Sequence, residues 1–307
     1  MKTRVIITAV LLTCAAARAG VCADKTGTGT AAFLKLPVDA RGAALGETAA
    51  VPAAGAMALF KNPAGLAYGG AAAFAFSHSI LVEDLSYDVV GAAVPLRSAG
   101  TVAFGAQYLR YGSIDSLDNT GAPAGTISPR DSAISAGYAF AATEGFYLGG
   151  SLKYISSRIS GSARTAAADL GLIVEDDEVS AGVAVQNLGK GLKFGSETSP
   201  LPYNVKLGAA AHFSGNWRWA ADFNFPGDGP AWLGVGAEYS FVSGPGLTLL
   251  GRAGYNTSAL DTREINGLSL GFGLARGPLS LDYSFSTMGM LGSNSRLSLA
   301  YRLGGKK

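Results

Sequence analysis

The chain has 307 residues, 48% apolar and only 15% charged, with 43 glycines and a formal net charge of +2. A soluble surface usually carries about 25% or more charge, and the near balance, with no basic cluster, points away from nucleic acid as a partner. The length suits one large barrel or two ordinary domains.

Residues 1–23 read as an export signal. Met1-Lys2-Thr3-Arg4 is basic, residues 5–17 are apolar, and Ala17-Arg18-Ala19 and Val21-Cys22-Ala23 both offer small-x-small cleavage sites. The apolar run is shorter than the roughly 20 residues a helical span needs. Both cysteines, Cys14 and Cys22, lie in this stretch, so cleavage after Ala23 leaves no disulfide framework. Thr13 and Val21 stand where a small residue precedes the lipidated cysteine of a lipoprotein, which argues against that alternative. No later stretch is long and apolar enough for a transmembrane helix. A closed barrel is then the main route into a membrane.

Residues 24–70 do not alternate and are rich in Ala and Gly. Residues 53–60 could form a short helix, which Asn62-Pro63 would end because Pro disfavours helical geometry in the residue before it. Small residues let such a segment fold tightly against a barrel wall, as a lumenal plug would.

From 71 to 303 apolar and polar side chains alternate. In Pro278-Leu-Ser-Leu-Asp-Tyr-Ser-Phe285, Leu279, Leu281, Tyr283 and Phe285 share one parity, while Ser280, Asp282 and Ser284 share the other. Successive strand side chains point to opposite faces, so each strand has one oily and one wet face. Turn residues cut the region into about fourteen strands of roughly ten residues, the length a tilted outer-membrane strand needs. They are expected near 71–78, 86–95, 99–111, 131–142, 144–156, 165–175, 177–187, 203–213, 217–225, 231–242, 247–256, 266–276, 278–286 and 294–303.

Short and long connections alternate between them, as periplasmic turns and extracellular loops do. An even strand count then puts both chain ends in the periplasm, with 304–307 as a short tail. The predicted fold is all-β: an antiparallel transmembrane outer-membrane barrel of about 14 strands, with a small N-terminal plug or hatch over 24–70.

Charge parity supports lipid contact. Asp88, Lys153, Asp169, Lys206, Arg218, Asp222, Glu238, Arg252, Asp282, Arg296 and Arg302 fall opposite the large apolar residues and read as lumen-facing. A lipid-facing Arg or Lys at mid-membrane would cost about 2–4 kcal/mol. A soluble two-sheet sandwich also alternates. Against it stand the low charge and the aromatics near strand ends (Tyr87, Tyr108, Tyr111, Phe146, Tyr154, Tyr203, Trp217, Tyr255, Tyr301), where an interfacial girdle sits.

Within the lumenal set, Arg218 and Asp222 lie beside the strands of Lys206 and Glu238. Asp282 is expected to face the strand of Arg296 and Arg302. The near balance of signs suggests a neutralised network filling the interior rather than the one-sided charge ring of a diffusion pore.

No catalytic constellation is legible. The histidines, His78 and His212, are far apart, no Gly-x-Ser-x-Gly elbow occurs, and His, Cys and carboxylates form no metal-type cluster. No catalytic residue, metal or cofactor is expected.

Asp39-Ala-Arg41-Gly-Ala-Ala-Leu-Gly46-Glu, then Asn62-Pro63-Ala64-Gly65-Leu66, ahead of a fourteen-strand pattern, resemble the FadL-like (fatty-acid-transporter-like) outer-membrane barrels. The match is similar above all to their PorV/PorQ branch, associated with type IX secretion. The resemblance implies a hatch inside the barrel, with Asn62, Pro63 and Ala64 in it and Arg41 paired to a lumenal carboxylate. Arg41 as a solvated residue of a periplasmic lead is the alternative. The C-terminal Leu299-Ala-Tyr301-Arg-Leu303-Gly-Gly-Lys-Lys307 departs from the terminal aromatic of many such barrels.

Two functions follow. A secretion-system component would bind exported proteins or the secretion pore at its rim. A channel would instead pass hydrophobic molecules such as long-chain fatty acids. The long loops near 112–130 and 256–265 are small and polar, which favours the first. Outer-membrane lipid is a partner in either.

Overall fold

The computed structural model describes residues 28–303 apart from 69, 83–84, 160, 214, 245, 259–265 and 289–291. The expected export signal and the last four residues lie outside the described residues. The strands in chain order are β1 (Ala72–Ile80), β2 (Ser86–Pro95), β3 (Thr101–Arg110), β4 (Ile114–Leu117), β5 (Pro123–Ile127) and β6 (Arg130–Thr143). Then come β7 (Phe146–Arg158), β8 (Ser162–Glu175), β9 (Val179–Gly189), β10 (Leu192–Phe194), β11 (Glu197–Ser199) and β12 (Asn204–Phe213). The last are β13 (Trp217–Pro226), β14 (Trp232–Val242), β15 (Leu247–Asn256), β16 (Asn266–Arg276), β17 (Leu279–Met288) and β18 (Ser293–Leu303).

Fourteen of these strands close one antiparallel barrel, sealed where β1 pairs β18 from Ala72↔Leu303 to Ile80↔Ser295. The other four form two hairpins in the connections, β4 with β5 and β10 with β11. Closure leaves no wall edge with unpaired backbone groups, the condition for crossing hydrocarbon.

The wall sorts its side chains by parity. On β6, Ile134 is 65% exposed and Ala133 only 1%. Phe104, Leu152, Leu170, Trp219, Phe223 and Phe272 are likewise exposed large apolar residues. A continuous outward apolar band of this kind is what lipid covers. Near the rim that carries Ala72 and Leu303, Tyr138 stacks on Phe140 and Trp217 packs against Trp219 and Tyr239.

Two expectations on β2 are corrected. Tyr87 and Val89 are buried on the inward register, so Asp88 faces outward with Val90 and Val94. Asp88 accepts from Arg110 Nη2 at 2.8 Å and meets His78 Nδ1 at 2.7 Å. At a strand end the outward register leaves the hydrocarbon, so polarity there no longer marks the lumen, and Tyr87 is no girdle residue.

The N-terminal segment runs through four short helical pieces: turns at Ala32–Lys35, Ala56–Phe60 and Pro63–Tyr68, and helix α1 (Ala40–Ala44). Asp39 caps α1, accepting the Gly42 N–H at 2.7 Å. The expected helix over 53–60 is thus a shorter 3₁₀ turn, and Pro63 opens the next one rather than only ending the last.

The even strand count brings Ala72 and Leu303 to one rim, but the described chain starts at the other. Thr30 donates its N–H to Pro200 O, and Lys35 bridges Asp228 at 2.8 Å. Both partners lie in long connections, β9–β12 and β13–β14. From there the segment descends to β1, and the residues before 28 and after 303, on which the expectation of two periplasmic chain ends rests, lie outside the described residues.

Candidate functional site

Inward-facing glycines receive this segment. A Cβ on Gly171 would stand 2.0 Å from Asn62 Oδ1, one on Gly149 2.4 Å from Ala64 N, and one on Gly182 2.1 Å from Ala50 O. Gly236 and Gly254, paired across β14 and β15, lie equally close to Leu45 and Gly46. Ala56, Leu59, Phe60 and Ala44 sit in the same way over Gly91, Gly137, Gly105 and Gly271. Since these glycines belong to strands right around the wall and share the buried register, the segment occupies the lumen. Gly46 itself has φ +65°, and a Cβ there would meet Val235 O at 2.4 Å. Space and backbone geometry both demand glycine.

Polar side chains of the wall then hold the segment's backbone. Asp222 accepts the N–H groups of Ala49 and Ala50 at 2.5 and 2.6 Å, and Arg218 donates to Val51 O. Gln186 donates to Phe60 O and Lys61 O, and Ser298 accepts the Ala40 N–H. Asn62, fully buried, donates Nδ2 to Ala50 O, Leu172 O and Val183 O and accepts the Ala64 N–H on Oδ1. Pro63 and Ala64 lie against Gly149.

The charges form two groups. Arg41 grips Glu238 through Nε and Nη2 at 2.8 and 2.7 Å. Glu238 also accepts from Arg252, whose Nη1 reaches Asp282 at 2.7 Å. Arg252 spans from β15 over β16 to β17 because Gly273 stands between: a Cβ there would be 2.4 Å from Asp282 Oδ1. Asp282 therefore pairs with Arg252, while its strand lies beside that of Arg296 and Arg302 as expected, with Asp282 opposite Ser298.

Arg296 is 1% exposed and its Nε donates to Ser79 Oγ. Arg302 is exposed at the Leu303 rim and joins Asp39, Arg41, Lys61 and Asp282 around a pocket of about 90 Å³. Lys206 lies on the inward register opposite Asn224. Lys61 closes on Asp39 at 2.6 Å. Separately, Lys153 and Asp169 form a fully buried pair at 2.9 Å beside the break in the β8–β9 ladder.

Toward the loops, an apolar patch on β2, β3 and β7 lies among polar inward residues such as Gln107, Asp131 and Arg296. Tyr87, Val89, Leu109 and Ile155 point inward and are each no more than 3% exposed, packed with Phe33 from the segment and Leu192 and Leu201 from the β9–β12 connection. Parity assigned Leu109 and Ile155 to a wet face and, with Asp88 read as lumenal, Tyr87 and Val89 to the oily one. The glycines and Gln186, Ser269 and Ser298 were also missed, although Gly149, Gly171, Gly236, Gly254 and Ser298 share the parity of a lumenal charge on their own strand. Among the described residues no group of three or more His, Cys, Asp or Glu could hold a metal ion.

No family model matches the chain, and no curated protein sequence matches it. Solved structures do. The toluene transporter TodX of Pseudomonas putida aligns at a TM-score of 0.60 and 14% identity, over 87% of this chain and 99% of that one. TbuX, the toluene transporter of Ralstonia pickettii, gives 0.58 and 14%, over 87% and 98%. A FadL homologue of Pseudomonas aeruginosa gives 0.57 and 13%, again over 87% and 98%. At such identities the likeness is one of fold: this chain shares the barrel architecture of these three proteins.

Proposed function

We propose that this chain is a bacterial outer-membrane channel that takes a hydrophobic small molecule from the loop rim and releases it past the N-terminal segment, which serves as a hatch. In this arrangement the rim with Ala72 and Leu303 faces the periplasm. The observation that carries the reading is the apolar inward cluster of Tyr87, Val89, Leu109 and Ile155 around Phe33. A pore for hydrophilic solutes lines its interior with polar groups, whereas an apolar pocket with few polar groups suits a hydrophobic ligand. The toluene transporters that share the fold support the same reading. Nothing in the fold or in those likenesses favours the PorV/PorQ-like secretion role that loop polarity suggested, and a protein-binding rim has no need of an oily interior.

The test is gentle purification from native outer membranes, with mass spectrometry of bound small molecules and of co-purifying proteins. Enriched hydrophobic compounds without a stoichiometric protein partner are expected. Recovery of a secretion pore or exported proteins, with no such compounds, would overturn the reading.

A further inference from the structure

Three arginines from three consecutive wall strands, Arg130 on β6, Arg158 on β7 and Arg164 on β8, share the outer surface of the barrel. Strand pairing aligns Ser86, Arg110, Arg130, Arg158 and Ser162 in one row across β2, β3, β6, β7 and β8. The next row inward along the strands runs Asp88, Tyr108, Ser132, Ser156 and Arg164. Both rows share the outward parity of Ile134, Leu152, Tyr154 and Leu170, which are 50% exposed or more. The row after them is apolar: Val90, Ala106, Ile134, Tyr154 and Ala166. Arg164 therefore stands about 7 Å along the strands from the apolar row, and Arg130 and Arg158 about 14 Å, on the face that continues the lipid-covered band.

Arg130, Arg158 and Arg164, with Ser132, Ser156 and Ser162, line a pocket of about 340 Å³. Arg110 is neutralised by Asp88. Arg130, Arg158 and Arg164 make no ion pair among the described residues, and no carboxylate lines the pocket. Three like charges held side by side repel one another, a cost that an anion seated among them reverses. Planar guanidinium groups with hydroxyls between them match the several acceptor oxygens of a phosphate.

We propose that this pocket binds the phosphate of a phosphorylated lipid headgroup in the outer leaflet. The acyl chains would lie on the apolar band that begins at Ile134 and Tyr154 and continues to Leu152 and Leu170. A lipid is favoured over free phosphate because the site opens on the lipid-facing register, at the margin of the apolar band. The inference goes beyond channel function, and it rests on the membrane placement and rim orientation given above.

The experiment compares the full chain with R130Q/R158Q/R164Q, both purified in a neutral detergent and checked for folding by heat-modified electrophoretic mobility. Bound lipid A is quantified after gel filtration, with dephosphorylated lipid A as the second probe. The triple variant is expected to retain about tenfold less lipid A or lower, and wild type to retain the dephosphorylated probe no better than the variant does. R276Q, an outward arginine at the opposite rim, is expected to match wild type. R158Q alone serves if the triple variant does not fold. Equal retention by wild type and the pocket variants would overturn the proposal, as would an equal loss in R276Q. Full displacement of lipid A by millimolar inorganic phosphate would overturn the lipid assignment.

Discussion

Asn62 shows how one side chain ties two chain segments to the wall. Its amide nitrogen is shared by carbonyls of the N-terminal segment (Ala50), β8 (Leu172) and β9 (Val183), while its oxygen accepts from Ala64. Gly171 leaves room for it, since a Cβ there would overlap its oxygen. Aspartate keeps the shape but removes both donors and sets an anion against three carbonyl oxygens. A buried group left unsatisfied costs about 1–3 kcal/mol, and more when charged. Asn62→Asp should therefore release the segment more readily than Asn62→Ala, which deletes the donor without adding charge. Trypsin cleavage at the neighbouring Lys61, 11% exposed in its side chain, measures the release in folded barrels. The expected order is Asp fastest, then Ala, then wild type; equal rates in all three would show that the amide does not anchor the segment.

At the scale of elements, β7 carries the sharpest contrast. Gly149 and Gly150 are neighbours on opposite faces. A Cβ on Gly149 would strike Ala64 N and Pro63 C at 2.4 Å, whereas one on Gly150 meets nothing nearer than 3.6 Å. Gly149→Ala should dislodge the segment and speed cleavage at Lys61, while Gly150→Ala leaves it seated; a barrel indifferent to both would refute the glycine belt as its support. The belt also marks what the sequence made legible. Period-2 alternation located the fourteen wall strands, with β2 (Ser86–Pro95) and β15 (Leu247–Asn256) at their expected bounds. It missed the β4–β5 and β10–β11 hairpins, which pair only with each other and bury no regular face. Glycines such as Gly149, Gly171 and Gly182 stood in plain view on the inward parity. Glycine has no polarity to sort, however, so its message was room for a second layer rather than water or lipid. Asp88 and the arginine cluster were hidden for another reason: register, invisible in a single strand, decides which residues of neighbouring strands meet.

For the molecule as a whole, the described residues of wall and segment pack closely around the apolar cluster, so the passage proposed above would demand a displacement. Either the segment shifts within a fixed wall, or it stays seated and the ligand leaves sideways between strands. A tether separates the two. A Cβ on Gly91 would lie 3.3 Å from the Cβ of Ala56, close to the about 3.5–4.5 Å that a disulfide spans. No described residue is a cysteine. The double variant Ala56→Cys/Gly91→Cys should therefore link the segment to β2 when oxidised and free it when reduced. If the segment is the hatch of the proposed channel, entry of a hydrophobic small-molecule probe into cells carrying the variant should fall under oxidising conditions and recover with reductant, while either single variant stays insensitive to both. Entry that persists with the disulfide formed would assign the exit to the wall and leave the segment a fixed plug. The bond acts on one strand only and leaves the β1–β18 closure intact, so a redox-dependent loss of entry would report on the segment rather than on the barrel.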